Sequence, residues 1–160
     1  MNSLTFQTLT FIFDNKSDLI LLHQLVEDGP LKRKHSGIKG QIGLAEDMNN
    51  AAIRGVREST GLELDSVVLR GIVKTFNPEN QTSVVYLVYE TSRFSGEPES
   101  KIPGRLKWVD ILTVFNLRME GLVREIMPFL LDGESFFEGT IRVNHRDEIL
   151  DSEIRVCNSI

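Results

Sequence analysis

Apolar residues in this chain recur mostly with the two-residue period of a strand, and few stretches carry a helical stripe. From Leu9 to Phe13, Leu9, Phe11 and Phe13 alternate with Thr10 and Ile12, which predicts a strand. Asp14-Asn15-Lys16-Ser17-Asp18 is turn chemistry, and Leu19–His23 reads as the returning strand. Val67–Lys74 and Ser83–Thr91 are rich in β-branched residues and are expected as strands; Leu106–Val109 is a shorter one. Phe137–Val143 and Leu150–Val156 flank His145-Arg146-Asp147-Glu148 as a hairpin. The segments Glu27–Lys39 and Arg93–Arg105 read as loops, each carrying Gly and Pro. Over Met48–Thr60 the period changes. Met48, Ala52 and Val56 fall at i, i+4 and i+8, the spacing of one helix face, and Gly61 stands where a left-handed glycine ends a helix. Glu120–Leu131 is a second helix, with Pro128 expected to kink or shorten it. Strands mixed with these helices predict an α+β architecture, a sheet sandwiched between helices as α/β/α. No repeat or linker divides the chain, so residues 1–160 are expected to form a single domain.

Charge narrows the partners. Lys and Arg total 18 against 23 Asp and Glu, a formal charge of -5. Such a surface argues against a nucleic-acid polymer, which needs a basic footprint. It leaves room for a small nucleotide, whose phosphates need only a metal or a few local donors. The lone Cys157 makes no intrachain disulfide, which suits a reducing cytoplasm, and reads as a bland residue. The N-terminus MNSLTFQTLTFIF lacks the basic start of a signal peptide, and Leu19–Leu22 is too short to span a bilayer. A cytoplasmic protein with no membrane partner is therefore expected.

The chemically specific segment is GQIGLAEDMNNAAIRGVRESTGL, Gly40 to Leu62. It resembles the Nudix box, G-x5-E-x7-R-E-U-x-E-E-x-G-U, where U is a bulky aliphatic residue. Gly40, Glu46, Arg54, Val56, Glu58, Gly61 and Leu62 fall on their places without a gap. The C-terminal hairpin and the pair Trp108-Val109 resemble more loosely the MutT-type 8-oxo-dGTP diphosphatases of that family. The resemblance implies one Nudix-fold domain over residues 1–160 and a metal-dependent pyrophosphohydrolase for a nucleoside triphosphate or another nucleoside diphosphate derivative. It implies Mg²⁺ or Mn²⁺ held by Glu58 and the Gly40 carbonyl, with Arg54 orienting Glu58 or tying down the loop. Ser36 falls where relatives place a base-contacting side chain, and Glu120 is the acidic candidate before the last helix. The resemblance admits a homodimer, which no sequence feature establishes. On a helix, i, i+3 and i+4 share a face. The family's glutamates use that spacing to gather oxygen ligands, which suit Mg²⁺.

Here that face reads Gly55, Glu58, Ser59, so Glu58 alone keeps a carboxylate. By spacing from Trp108, a further metal-binding glutamate of relatives is Pro103 here; their Pro-Gly-Gly entrance is Ile38-Lys39-Gly40, and an early glutamate is Gly43. Gly55 also costs about 1 kcal/mol of helix propensity relative to Ala. Two readings stand: a hydrolase with weakened activity, Mg²⁺ held by Glu58, the Gly40 carbonyl and substrate phosphates, or a catalytically inactive nucleotide-binding or regulatory module. Glu46 reads as a structural loop residue. His23, His35 and His145 show no metal-ligand spacing. Lys32-Arg33-Lys34 reads as a solvated basic turn that is also placed to attract phosphates.

Overall fold

The computed structural model describes residues 2–100 and 105–157. In chain order the elements are β1 (Ser3–Asp14), β2 (Leu19–Gln24), β3 (His35–Ser36), β4 (Ile38–Gln41), α1 (Met48–Thr60), β5 (Glu63–Leu64) and β6 (Val68–Asn77). There follow β7 (Thr82–Thr91), β8 (Phe94–Ser95), β9 (Leu106–Asp110), a 3-10 helix Ile111–Asn116, α2 (Gly121–Leu131), β10 (Phe136–Val143) and β11 (Ile149–Cys157). The main sheet runs β11-β10-β6-β7-β1-β2-β3, with β4 paired to β1 and β9 to β2, while β5 and β8 form a separate ladder. Pairing is mixed: β1 with β7 and β10 with β6 are parallel, and the hairpins are antiparallel.

The expected α/β/α sandwich is present because both faces of the central strands are covered. Leu9, Phe11 and Phe13 of β1 pack with Val123, Ile126 and Met127 of α2. Ile12 on the opposite face joins Ile38, Val56 and Leu62 around α1. α1 occupies the span its period predicts. Asp47 caps its start by accepting from the Asn50 N–H at 3.1 Å. Gly61 ends it at φ 78°, its N–H bonded to the Arg57 carbonyl.

Three expectations are corrected. β1 is longer than Leu9–Phe13, because it pairs with β7 from Ser3 opposite Thr82 to Ile12 opposite Thr91. The Glu27–Lys39 segment is not all loop: β3 pairs with β2, and β4 lies antiparallel to β1 with Thr8 opposite Gly40. These strands are too short to show a period of their own, and their partners fix them. Pro128 sits inside α2 and does not shorten it to that point. The buried Arg70 guanidinium bonds the Phe129 and Leu130 carbonyls at 2.9 and 3.3 Å, which satisfies that end of the helix. Among the described residues, no helix is long and apolar enough to cross a membrane.

Candidate functional site

α1 lies directly on β4. A side-chain carbon built on Gly55 would stand 3.4 Å from the Gly40 Cα, an ordinary contact, whereas one built on Gly40 would come within 2.8 Å of Thr8 Oγ1. The helix therefore approaches the strand through glycine on both sides. Beside this contact is a cavity of about 360 Å³ lined by Lys39, Gly40, Arg54, Gly55, Glu58 and Ser59. The box residues expected from spacing are thus brought together.

Arg54 organises this cavity's rim. Its Nε and Nη2 donate to the two oxygens of Glu46 at 2.7 and 2.9 Å. Nη2 also reaches the Gln41 carbonyl at 2.7 Å, and Nη1 reaches Glu58 at 3.1 Å. Glu46 accepts the Gly43 N–H as well, at 3.0 Å. The Arg54 bonds, then this N–H, hold the Glu46 carboxyl down at about 2, and the bonds to Glu46 and then Glu58 raise the Arg54 guanidinium above its ordinary value. Arg54 and Glu46 are therefore a brace across the loop before α1. Glu58 keeps 62% of its side chain exposed, with one oxygen on Arg54.

Among the described residues the donor set does not suit a resident divalent ion. Gly55 and Ser59 bring no carboxylate to the Glu58 face. Among the described residues no group of three or more His, Cys, Asp or Glu side chains is placed to hold a metal. Pro103, the other depleted position, lies outside the described residues. The Gly40 carbonyl accepts from Thr8 Oγ1 at 3.4 Å.

Ser36 and Glu120, far apart in sequence, meet. Ser36 Oγ donates to Glu120 Oε1 at 3.0 Å, and Lys39 Nζ donates to Oε2 at 2.7 Å. The Lys39 ammonium also lies 5.6 Å from the Tyr86 ring centroid. Burial opposes the charge on Lys39, but Glu120 outweighs it and leaves the ammonium above its ordinary pKa. Both Glu120 oxygens are engaged, so this carboxylate is a structural partner of Lys39 in the geometry observed.

Two further cavities adjoin. One of about 340 Å³ is lined by His23, Leu25, Leu31, Lys39 and Ser59 among others. Another, of about 330 Å³, is lined by Leu31, Tyr86, Glu120, His145 and Asp147 among others. Lys39 and Ser59 are common to the first of these and the box cavity, so the three surround Lys39 and its partner. Burial first, then the charges of Arg105 and Lys39, lower the His23 imidazole below its ordinary value. A larger cavity of about 380 Å³, between Phe13, Glu90, Arg93 and Leu130, contains none of the box residues.

The basic run is not uniformly solvated. Lys32 pairs with the exposed Asp28 at 3.1 Å, but Lys34 forms a largely buried pair with Asp147 at 2.8 Å. His35 is buried, with Nδ1 at 3.1 Å from the Arg118 carbonyl, and His145 pairs with Glu79. Sequence reasoning passed over Lys39, Tyr86, His23 and Arg105 as a group. Lys39 was visible as the substitution at the family's entrance, but nothing local pointed to Glu120 as its partner.

Comparison with known proteins agrees with this fold. A family model described as the NUDIX domain matches residues 5–130. The uncharacterized Nudix hydrolase YvcI of Bacillus subtilis is 25% identical over 116 residues, which cover 69% of this chain and 73% of that protein. The crystal structure of a mutator MutT protein from Bacillus halodurans superposes with a TM-score of 0.82 at 21% identity, covering 94% of this chain and 97% of its own. The NUDIX domain of Shewanella oneidensis NrtR, solved in complex with ADP ribose, gives a TM-score of 0.64 at 15% identity, covering 82% and 88%.

Proposed function

The chain belongs to the Nudix family, and from that premise we propose that it binds a nucleotide derivative in the cleft around Lys39 without turning it over at the family's usual rate. One observation carries this reading. The α1 face that lines the cavity offers Gly55, Glu58 and Ser59, one carboxylate where the family's chemistry gathers several. Nucleotide-derivative pyrophosphohydrolysis is the activity associated with the family. The Mg²⁺ or Mn²⁺ that would accompany it finds one carboxylate on this face among the described residues, Glu58. In this reading Glu58 and Arg54 form the rim, Gly40 the close floor under α1, and Ser36 with Glu120 the wall that positions Lys39. Residues 1–160 act as one Nudix domain, and the partner is a small nucleotide rather than a nucleic-acid polymer.

A second reading keeps weakened hydrolysis. It is favoured by Glu58, which retains its place in the box and an exposed carboxylate. Mg²⁺ sites do rely in some proteins on one or two carboxylates together with substrate phosphates. A panel of nucleoside triphosphates, ADP-ribose and dinucleoside polyphosphates, incubated with Mg²⁺ or Mn²⁺ beside the Glu58→Gln variant, separates the two. Binding measured by calorimetry without phosphate or nucleotide release supports the binding module. Turnover that Glu58→Gln abolishes supports the hydrolase. Turnover that survives this substitution points to a different site.

A further inference from the structure

This inference rests on the reading that the cleft takes a nucleotide derivative. We propose that the phosphates of that ligand are held directly by the protein's own cation, Lys39, with no divalent metal. A metal-bridged site needs carboxylates on the protein and a cation between them and the phosphates. A direct site needs the opposite, few free carboxylates and a fixed ammonium or guanidinium. The cleft has the second composition. Gly55 and Ser59 remove negative charge from the α1 face, and the remaining acids are mostly committed: Glu46 and Glu58 to Arg54, Asp28 to Lys32, Glu120 to Ser36 and Lys39. Glu27 is the other acid on the adjoining cavity wall.

Lys39 is placed for the task. It lines two of the three adjoining cavities, and its side chain is 25% exposed, so it is reachable yet partly shielded from water. In such a setting a charge acts more strongly than on an open surface. An ammonium carries three N–H donors. Glu120 accepts one of them and the Tyr86 side chain engages another, which leaves a donor for a phosphate oxygen. Glu120 and the Tyr86 ring fix its direction. The ligand class this wall suits is a nucleotide bearing a diphosphate or longer phosphate chain.

The test is equilibrium binding of ADP-ribose, ATP and inorganic pyrophosphate to the full chain, in EDTA and in Mg²⁺, with melting curves to confirm that each variant is folded. The expected result is an affinity in EDTA within about twofold of that in Mg²⁺, and a loss of about tenfold or more in Lys39→Met, the scale of a hydrogen bond to a charged group. Lys39→Arg should keep most of the affinity. Glu120→Gln, which frees the ammonium from its counter-ion, should tighten binding, a change that misfolding cannot produce. Binding that vanishes in EDTA and returns with Mg²⁺ would overturn the inference and leave the nucleotide reading intact. Wild-type affinity in a folded Lys39→Met protein would overturn it too, as would weakened binding in a folded Glu120→Gln protein. Failure of every probe under both conditions would refute the nucleotide reading itself.

Discussion

Gly40 and Gly55 stand against each other in the structure but answer to different limits. A methyl on Gly40 meets Thr8 Oγ1 at 2.8 Å, and a β-branched neighbour has little freedom to turn away. Gly40→Ala should therefore lower stability by about 1–3 kcal/mol, the range for overpacking. Gly55→Ala places its methyl at ordinary contact distance and gains helix propensity, so it should be neutral or stabilising by up to about 1 kcal/mol. Urea titrations of the two variants check the opposite signs. The helix-propensity cost read from the sequence at Gly55 is real, and the close seating of α1 on β4 accompanies it. Glu46 gives a pH prediction. Its folded pKa of about 2 lies below its ordinary value of 4.5, so its contribution is present above 4.5 and is lost as pH falls from there through about 2. Stability followed by circular dichroism should fall less steeply across that acid window in Glu46→Gln than in the wild type.

At the scale of elements, α1 was legible because its apolar stripe and its terminal glycine lie within a short stretch. α2 was legible in its span, but what satisfies its end is a distant residue. Its Pro128 reads locally as a breaker, but Arg70 on β6 collects the Phe129 and Leu130 carbonyls, together with Glu90 at 2.9 Å and Asp132 at 3.2 Å. Burial raises the Glu90 carboxyl above its ordinary value, with Arg70 opposing the shift. Removing the guanidinium leaves a half-buried acid and helix-end carbonyls without their partner. Arg70→Met should cost about 3–5 kcal/mol, the scale of a broken buried ion pair. The midpoint of denaturant unfolding measures it. The short strands β3 and β4 belong to the same class, since their existence depends on β2 and β1 rather than on any period within Glu27–Lys39.

On the scale of the whole molecule, the cleft is assembled from chain segments that the sheet order collects. β4 brings Lys39 and Gly40, α1 brings Glu58, and the start of α2 brings Glu120. A divalent ion that binds the native state tightly would stabilise it by mass action. Because the described donors do not form a metal cluster, EDTA and millimolar Mg²⁺ should give the same melting midpoint without nucleotide. A nucleotide ligand should raise that midpoint in EDTA. Scanning fluorimetry with and without ADP-ribose makes the comparison. The sequence by itself determined the α+β class, the span of α1, the spacing of the box and the uncharged residues Gly55 and Ser59 beside Glu58, because each is written in residues a few positions apart. Tertiary structure alone decided that Lys39 and Ser36 share Glu120 across more than 80 residues. Strand register and helix packing set that meeting, and neither is encoded in a local period.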